Sequence, residues 1–215
     1  MNITVFGSKG RMGTLLSERA RQLGHCVYGI DKDQTADFSR PCDVVIDFSV
    51  PEALDDVLDY CTQKGCPLVY AVTGLNEKQK ELLRQHSERL PTVYRQNFGE
   101  AFEAFKKCVV QTAELLPDWD CVIYEAHKKN KKDRPSGTAL VIQSAIESKL
   151  HCMGINKKIE VLSARLGEMS GMHSVIFAKG SESVTMQYRT ENSTAFASGA
   201  LRCAVQLVQT ANSNG

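Results

Sequence analysis

The sequence lacks any apolar run near the roughly 18 residues that a transmembrane helix requires. It contains only 6 prolines among 215 residues, a composition unlike that of collagen-like or disordered chains. The segment from Met1 to Phe6 leads directly into glycine, without the basic region and cleavage site of a secretory signal. We therefore expect a globular, cytoplasmic protein of one or two domains that has no membrane partner.

The chain also lacks a charge surplus. Its 26 Lys and Arg residues stand against 25 Asp and Glu residues, which gives a net charge of +1. Nucleic acids and anionic membranes are usually bound by proteins with a large positive surplus, so the overall charge argues against both partners. The balance is not local, however, because Lys128–Arg134 contains five of the 26 cations.

The eight cysteines form no C-x-x-C pair and have no histidine at zinc-finger spacing. In a reducing compartment such cysteines are usually small buried apolar residues. We therefore expect neither disulfides nor a bound metal.

Over the first 98 residues, short apolar runs alternate with segments of helical period. This alternation is typical of β-α-β units around a parallel sheet. Strands are predicted at 2–6, 26–31, 43–48, 67–72 and 92–96, with helices at 11–23, 51–64 and 76–88. Pro51 suits a first helical turn, and Asn76 suits a helix cap.

After Phe98 the pattern changes to an α+β arrangement. Helices are predicted at 100–116 and 136–149, and strands at 120–126, 158–164, 173–179 and 182–190. The short turn at 179–181 favours antiparallel pairing. A last helix at 195–211 has an apolar stripe that we expect to pack on the first domain, formed by Phe196, Leu201, Ala204, Leu207 and Val208. The chain is therefore divided into a first domain of residues 1–98 with 194–215 and a second of residues 99–193.

A glycine-rich turn follows the first predicted strand directly, with the sequence Gly7-Ser8-Lys9-Gly10-Arg11-Met12-Gly13. Such a turn lets the backbone approach a phosphate at the N-terminus of a helix, although it also occurs as a plain tight connection. Asp31 ends the second predicted strand, where a carboxylate can accept both hydroxyls of an adenosine ribose. These features predict a dinucleotide site that favours NADH, while Lys32 and Arg11 leave NADPH possible.

Other strand ends are expected to face the same crevice, since ligands of open α/β sheets bind beyond the carboxyl ends of the strands. The segments concerned are Phe48-Ser49, Ala71-Val72-Thr73-Gly74 and Gln96-Asn97-Phe98. Each segment alone is only a strand end. Together they are candidate walls for the nicotinamide and its ribose.

A second candidate site lies in residues 125–139, which run from a strand through a basic loop into a helix. The first turn of that helix offers Ser136, Gly137 and Thr138, and a helix N-terminus of this kind suits a carboxylate or phosphate. His127 titrates near neutral pH, and Lys131 can hold a carboxylate or donate a proton. The alternative is a solvated surface loop with a serine cap.

These motifs resemble those of the 4-hydroxy-tetrahydrodipicolinate reductase family, also called dihydrodipicolinate reductases. The resemblance rests on G-x-x-G-R-M-G from Gly7, E-A-H at 125–127 and K-x-D-x-P-S-G-T-A at 131–139. Shorter matches extend it along the whole chain, at 47–51, 73–74, 97–98, 165–177 and 196–200.

The resemblance implies an α/β fold in which a Rossmann-like nucleotide-binding domain carries an inserted α+β domain with a mixed sheet for substrate binding and tetramerisation. It implies a homotetramer that uses NADH or NADPH, without a metal, to reduce a cyclic dicarboxylate in the diaminopimelate route to lysine. Hydride addition to a conjugated imine carboxylate gains from cations on the carboxylates and from an acid that quenches the enamine.

The resemblance also implies residue roles. His127 is the proton donor or acceptor, and Lys131 is the proton donor. Substrate carboxylates are held by Lys128, Ser136, Gly137 and Thr138. The cofactor is held by Gly7, Ser8, Lys9, Gly10, Arg11, Met12, Asp31, Lys32, Ala71, Val72, Thr73, Arg95, Gln96, Asn97 and Phe98.

The chain departs from the family pattern at several positions. Lys128 stands where the family has a second histidine, and Ser193 where it has an arginine. The lost arginine removes a carboxylate clamp worth about 1.5–3 kcal/mol unless Arg165 or Arg189 replaces it. The remaining departures are Ala71-Val72 for Gly-Thr, Gly99 for Ser and Tyr188 for His.

Two alternatives therefore stay open beside the reductase. The first is another NAD(P)-dependent dehydrogenase, acting on an amino-dicarboxylate. The second is an inactive paralogue that only binds a nucleotide.

Overall fold

The computed structural model describes residues 1–32, 34 and 36–213. The chain divides into two compact units, one formed by Met1–Phe98 together with the segment from Ser193, the other by Gly99–Asn192. We call them the first and second units. Residues 33, 35, 214 and 215 of the predicted nucleotide-binding domain lie outside the described part of the chain.

The first unit contains a five-stranded, fully parallel sheet in the order β2-β1-β3-β4-β5. Its strands are β1 (Asn2–Phe6), β2 (Cys26–Ile30), β3 (Val44–Asp47), β4 (Leu68–Tyr70) and β5 (Thr92–Tyr94). The order reverses between β1 and β3, which creates the switch point where open α/β sheets bind ligands. The predicted Rossmann-like sheet is confirmed, with strands one to three residues shorter than the apolar runs.

Three helices connect these strands: α1 (Arg11–Gln22), α2 (Leu54–Lys64) and α3 (Glu77–Ser87), with a 3-10 turn at Pro51–Ala53 before α2. Asn76 caps α3 as expected, because its Oδ1 accepts from the backbone N–H of Gln79 at 2.9 Å, and Gln79 Oε1 accepts in return from the N–H of Asn76 at 3.0 Å.

Both faces of the parallel sheet are buried. Phe6, Val45 and Leu68 belong to one apolar cluster, while Val5 and Ile46 belong to another. Successive side chains of a strand point to opposite faces, so the continuous apolar runs seen in the sequence supply both layers at once.

The second unit contains a mixed four-stranded sheet in the order β7-β6-β8-β9. Its elements are α4 (Glu100–Leu115), β6 (Asp120–His127), α5 (Gly137–Cys152), β7 (Glu160–Arg165), β8 (Met172–Lys179) and β9 (Glu182–Arg189). The β8–β9 hairpin is antiparallel as predicted, and β6 pairs antiparallel with β8 but parallel with β7. The parallel pair arises because α5 carries the chain back across the sheet.

The final helix α6 (Thr194–Ser213) packs within the first unit, against α1, β3 and β4. Its buried contact residues are Ala197, Ala200, Leu201 and Ala204. The expected inclusion of Phe196 was wrong, since its side chain is half-buried and lies outside this cluster. Small residues replace it because α6 approaches the backbone closely: a Cβ on Gly199 would lie 1.8 Å from the carbonyl oxygen of Phe98.

Among the described residues, no helix combines the length and the apolar character needed to cross a bilayer. All eight cysteines are present as thiols, and the Sγ atoms of Cys42 and Cys66 lie 3.6 Å apart.

Candidate active site

The glycine-rich turn in the first unit depends on the absence of side chains. Gly7 has a φ of +70°, and a Cβ there would lie 2.7 Å from Ser49 Cα and 2.8 Å from the Phe48 carbonyl oxygen. A Cβ on Gly13 would lie 2.2 Å from the carbonyl oxygen of Gly7. The glycines therefore let three stretches of backbone meet beyond the end of β1.

The N-terminus of α1 opens at this turn. Gly10 is its N-cap residue and supplies no side-chain cap, and the first helical turn contains no acidic residue. A helix end of this type favours an anion through its N–H groups and its dipole.

Asp31 follows β2 and ties the glycine turn to that strand. Its two carboxylate oxygens accept from the backbone N–H groups of Lys9 at 2.9 Å and Lys32 at 3.1 Å. An ionised carboxylate has about four acceptor positions, so it can accept the hydroxyls of a ribose in addition.

A cleft of about 590 Å³ adjoins this turn. Gly7, Gly10, Asp31 and Lys32 line it, as predicted for cofactor residues, together with Phe48 and Ser49. The cleft continues toward residues that the sequence had not indicated, among them Phe38, Asp56, Tyr60 and Gln63. Its volume is within the range of small-molecule sites.

The other predicted cofactor residues fall into two groups. Ser8, Lys9, Arg11 and Met12 belong to the glycine turn or the first turn of α1. Residues 71–73 follow β4 and residues 95–98 follow β5, at the carboxyl edge of the sheet. Val72 and Phe98 are only 5% and 6% exposed and pack into the two apolar clusters, so their side chains contribute to the core.

Asp47 anchors another part of the cleft wall. It ends β3 and is fully buried, and its Oδ1 accepts from the backbone N–H of Ser49 at 2.7 Å. Burial raises the pKa of Asp47 to about 6, although this hydrogen bond acts in the opposite direction. The bond fixes the Phe48-Ser49 turn that lines the cleft.

The second unit contains a buried polar network centred on His127 and Glu125. Both residues lie on β6, two positions apart, and therefore on the same face. His127 Nδ1 is 2.6 Å from Glu125 Oε2, and Arg165 Nη2 is 2.9 Å from Glu125 Oε1. Strand pairing supplies the neighbours, because β7 sets Arg165 beside His127 and β8 sets His173 beside Glu125.

The charges of this network are set by burial and by its hydrogen bonds. Burial raises the pKa of Glu125, but hydrogen bonds from His127, Ser163, Ser136 and Arg165 outweigh it and hold that pKa far below its usual range. The carboxylate is therefore ionised at neutral pH. Burial and the nearby His127 lower the pKa of His173 to about 4, so His173 is uncharged at neutral pH.

Lys131 lies in the loop after β6 and is held by Asp133, whose two oxygens are 2.7 and 2.8 Å from Lys131 Nζ. An ammonium group has three N–H donors, so this contact leaves capacity for a ligand. Arg165 fixes the same loop from below, donating to the backbone carbonyls of Lys131 and Asp133.

The N-terminus of α5 begins at the next part of this loop. Ser136 is its N-cap, and its Oγ accepts from the N–H of Ala139 at 3.2 Å and lies 3.1 Å from His173 Nε2. Because Ser136 is only 2% exposed, its hydroxyl belongs to the polar network. Gly137 and Thr138 form the first turn of α5 and are half-buried, as is Lys128 after the end of β6.

Glu125, His127 and His173 also have the composition of a metal site, with one ligand atom of each within 4.8 Å of the others. The geometry does not favour an ion. The 2.6 Å between His127 Nδ1 and Glu125 Oε2 is a hydrogen-bond distance, shorter than the roughly 3.3 Å that two ligands at about 2.0–2.1 Å span on tetrahedral zinc. The other oxygen of Glu125 is paired with a guanidinium group.

Sequence reasoning missed four members of this site as functional residues: Glu125, Asp133, Arg165 and His173. Three of them lie inside the motifs quoted above, but their contacts follow from the register of β6 with β7 and β8. Arg165 cannot replace the missing clamp at Ser193, because its side chain is 6% exposed and is already bonded to Glu125 and to the loop. Tyr188, in place of a histidine, is buried and lies beside His173 with ring centroids 6.3 Å apart.

Comparison with known proteins agrees with both units. A family model for the N-terminus of dihydrodipicolinate reductase matches residues 1–98, and one for its C-terminus matches residues 102–214. The chain is 34% identical over 205 residues to the 4-hydroxy-tetrahydrodipicolinate reductase of Thermosipho africanus, covering 95% of this chain and 90% of the relative. With the enzyme of the same name from Campylobacter lari, identity is 33% over 231 aligned positions, covering 99% and 95%.

Among solved structures, the chain resembles a dipicolinate-bound dihydrodipicolinate reductase from Paenisporosarcina sp. TG-14. The TM-score is 0.78 at 20% sequence identity, and the match covers 97% of this chain and 95% of the other. This likeness shows a shared fold. Together with the two family models and the near-full-length relatives, it shows that the chain belongs to the dihydrodipicolinate reductase family.

Proposed function

We propose that this chain is an NAD(P)H-dependent oxidoreductase that reduces 4-hydroxy-tetrahydrodipicolinate to tetrahydrodipicolinate, in the diaminopimelate route to lysine. The observation that carries the proposal is the match over almost the whole chain to relatives named for this activity. The glycine cradle and the buried histidine network supply the two kinds of site that such a reaction needs.

The first unit is proposed as the dinucleotide-binding domain. The cradle at Gly7, Gly10 and Gly13 fits a pyrophosphate, since added side chains would fill it. Asp31 would accept the hydroxyls of the adenosine ribose, which favours NADH. Lys32 and Arg11 are the cations that would offset its charge toward the 2′-phosphate of NADPH.

The second unit is proposed as the substrate-binding domain. NAD(P)H supplies the hydride when bound. His127 and Lys131 then hold and transfer the proton that neutralises the electron density pushed into the ring. The N–H groups of Gly137 and Thr138 and the ammonium of Lys128 would bind the carboxylates. Ser136 would position this helix end from within the network.

We further propose that the reaction needs no metal and that the protein is a cytoplasmic homotetramer that does not bind nucleic acid. Strands β7 and β9 are the edges of the mixed sheet and offer surfaces for assembly. Light scattering would test the oligomer, with a mass four times 23.8 kDa expected.

The activity is tested by following NADH and NADPH oxidation with substrate generated in place by a coupled dihydrodipicolinate synthase. Turnover is expected with at least one cofactor and should be inhibited by pyridine-2,6-dicarboxylate. Turnover on an amino-dicarboxylate alone would instead support the other dehydrogenase. Tight cofactor binding without turnover on any substrate would support the inactive paralogue suggested by Lys128, Tyr188 and Ser193.

A further inference from the structure

Glu125 is a buried anion that directly contacts the proposed acid-base residue. It is 0% exposed, and its Oε2 lies 2.6 Å from His127 Nδ1. β6 is an interior strand, and the two-residue period of the strand puts both side chains on one face. The contact is therefore built into the sheet and does not depend on a loop.

The charge of Glu125 is retained because of its partners. A carboxylate without counter-charges is strongly disfavoured in a protein interior, and one that stays ionised there must be paired and hydrogen-bonded. Arg165 provides the counter-charge at 2.9 Å from Oε1. Arg165 also donates to the carbonyls of Lys131 and Asp133, so the same cation connects Glu125 to the loop that carries the second proposed proton donor.

An ionised carboxylate can only accept hydrogen bonds. The nitrogen of His127 that faces it must therefore carry a proton, and the exchangeable position of the neutral ring becomes Nε2. The space at Nε2 is kept open, since a Cβ on Gly171 would lie 3.3 Å from that atom. Glu125 thus determines which nitrogen of His127 can exchange a proton with a substrate.

We propose that Glu125 is a positioning residue that fixes the tautomer and ring orientation of His127, and that Arg165 holds Glu125 in register with the Lys131 loop. The proposal deepens the function proposed above and rests on it for the kinetic part alone. The tautomer itself is a property of the folded protein and can be measured without turnover.

The test compares Glu125→Gln with the wild-type enzyme. Glutamine has the same size but no charge, and its amide group can donate to Nδ1, which admits the opposite tautomer. We expect kcat to fall by about 10²-fold, as for a lost proton-transfer geometry, with the Kd of NADH unchanged within about twofold. Nitrogen-15 NMR of the His127 ring should change from the Nδ1–H tautomer toward Nε2–H, with His127→Gln used to assign its signals.

The control is Glu160→Gln on β7, an exposed carboxylate for which kcat and the His127 tautomer should stay as in the wild type. The double variant Glu125→Gln/His127→Gln should be no slower than His127→Gln, because a residue that acts only through another gives non-additive losses. If Glu125→Gln does not fold, Glu125→Asp keeps the charge at a longer reach and should show a lower kcat with the wild-type tautomer.

An unchanged tautomer in Glu125→Gln, or fully additive losses in the double variant, would overturn the proposal. So would a wild-type protein whose His127 is the Nε2–H tautomer. A wild-type protein with the Nδ1–H tautomer but no turnover would contradict only the proposed function.

Discussion

The rings of His127 and His173 meet edge to face, with centroids 5.1 Å apart and an angle of 75° between their planes. The two histidines have different environments. His173 is buried and uncharged at neutral pH, while Nδ1 of His127 contacts the Glu125 carboxylate. One ring therefore serves as a packed neighbour and hydrogen-bond partner of Ser136, and the other is available for proton transfer.

The buried His173 should make the protein acid-sensitive. Its pKa falls from 6.5 to about 4 on folding, so the unfolded chain binds a proton that the folded one refuses. The stability of the wild type should be full above about pH 6.5 and should fall between pH 6.5 and 4, by up to about 3 kcal/mol from this residue. Urea unfolding of His173→Gln should show a flatter dependence across that window, whereas the exposed His151→Gln should follow the wild type.

The two proposed proton-transfer residues should be required for turnover. His127→Gln and Lys131→Ala are each expected to lower kcat by about 10²-fold or more. Lys132→Ala is the matched control, since it removes an exposed cation from the same loop. Steady-state kinetics with both cofactors measure the effect, and near wild-type kcat values for both variants would remove these residues from the mechanism.

The glycine cradle can be tested against a glycine that shares its backbone strain. Gly7 and Gly24 have φ values of +70° and +79°, but an added Cβ meets Phe48 and Ser49 only at Gly7. Gly24→Ala should cost about 1–2 kcal/mol of stability. Gly7→Ala adds a backbone clash of about 1–3 kcal/mol more and should weaken NADH binding at least tenfold by calorimetry. Equal losses in both variants would argue against the cradle.

Asp47 should destabilise the protein at neutral pH. Its pKa rises from 3.8 to about 6 on folding, so its contribution is most favourable at low pH and is lost as pH rises from about 4 to 6. Asp47→Asn keeps an oxygen for the Ser49 N–H and should be more stable than the wild type at pH 7.5, by up to about 3 kcal/mol. Denaturant unfolding should show no such gain at pH 4, nor in the exposed Asp55→Asn.

The positions of the elements could be predicted because they follow from local patterns. The strands of the first unit came from apolar runs that supply both faces of the sheet, and α3 came from the capping sequence at Asn76. β4 was predicted too long because the apolar run 67–72 continues past the paired residues 68–70 into Val72, which is buried for packing after the strand ends.

The polar network could not be predicted in the same way. The pairing of Arg165 with the neighbourhood of Glu125 depends on β7 lying parallel to β6 in a given register, and no local pattern specifies that register. Motif resemblance found His127 and Lys131 but not the ions that fix them. It also treated Ser136 as a substrate ligand, whereas its hydroxyl is buried against Ala139 and His173.

The most direct test of the proposed reaction follows the transferred atom. The enzyme would be given NADH carrying deuterium at the transferable C4 position, with substrate formed in place by the coupled synthase, and the product analysed by mass spectrometry. We expect tetrahydrodipicolinate that is heavier by one deuterium, formed in equal amount to the NADH oxidised. NADH and NADPH that both stay unoxidised beside intact substrate, or a product without deuterium, would contradict the account.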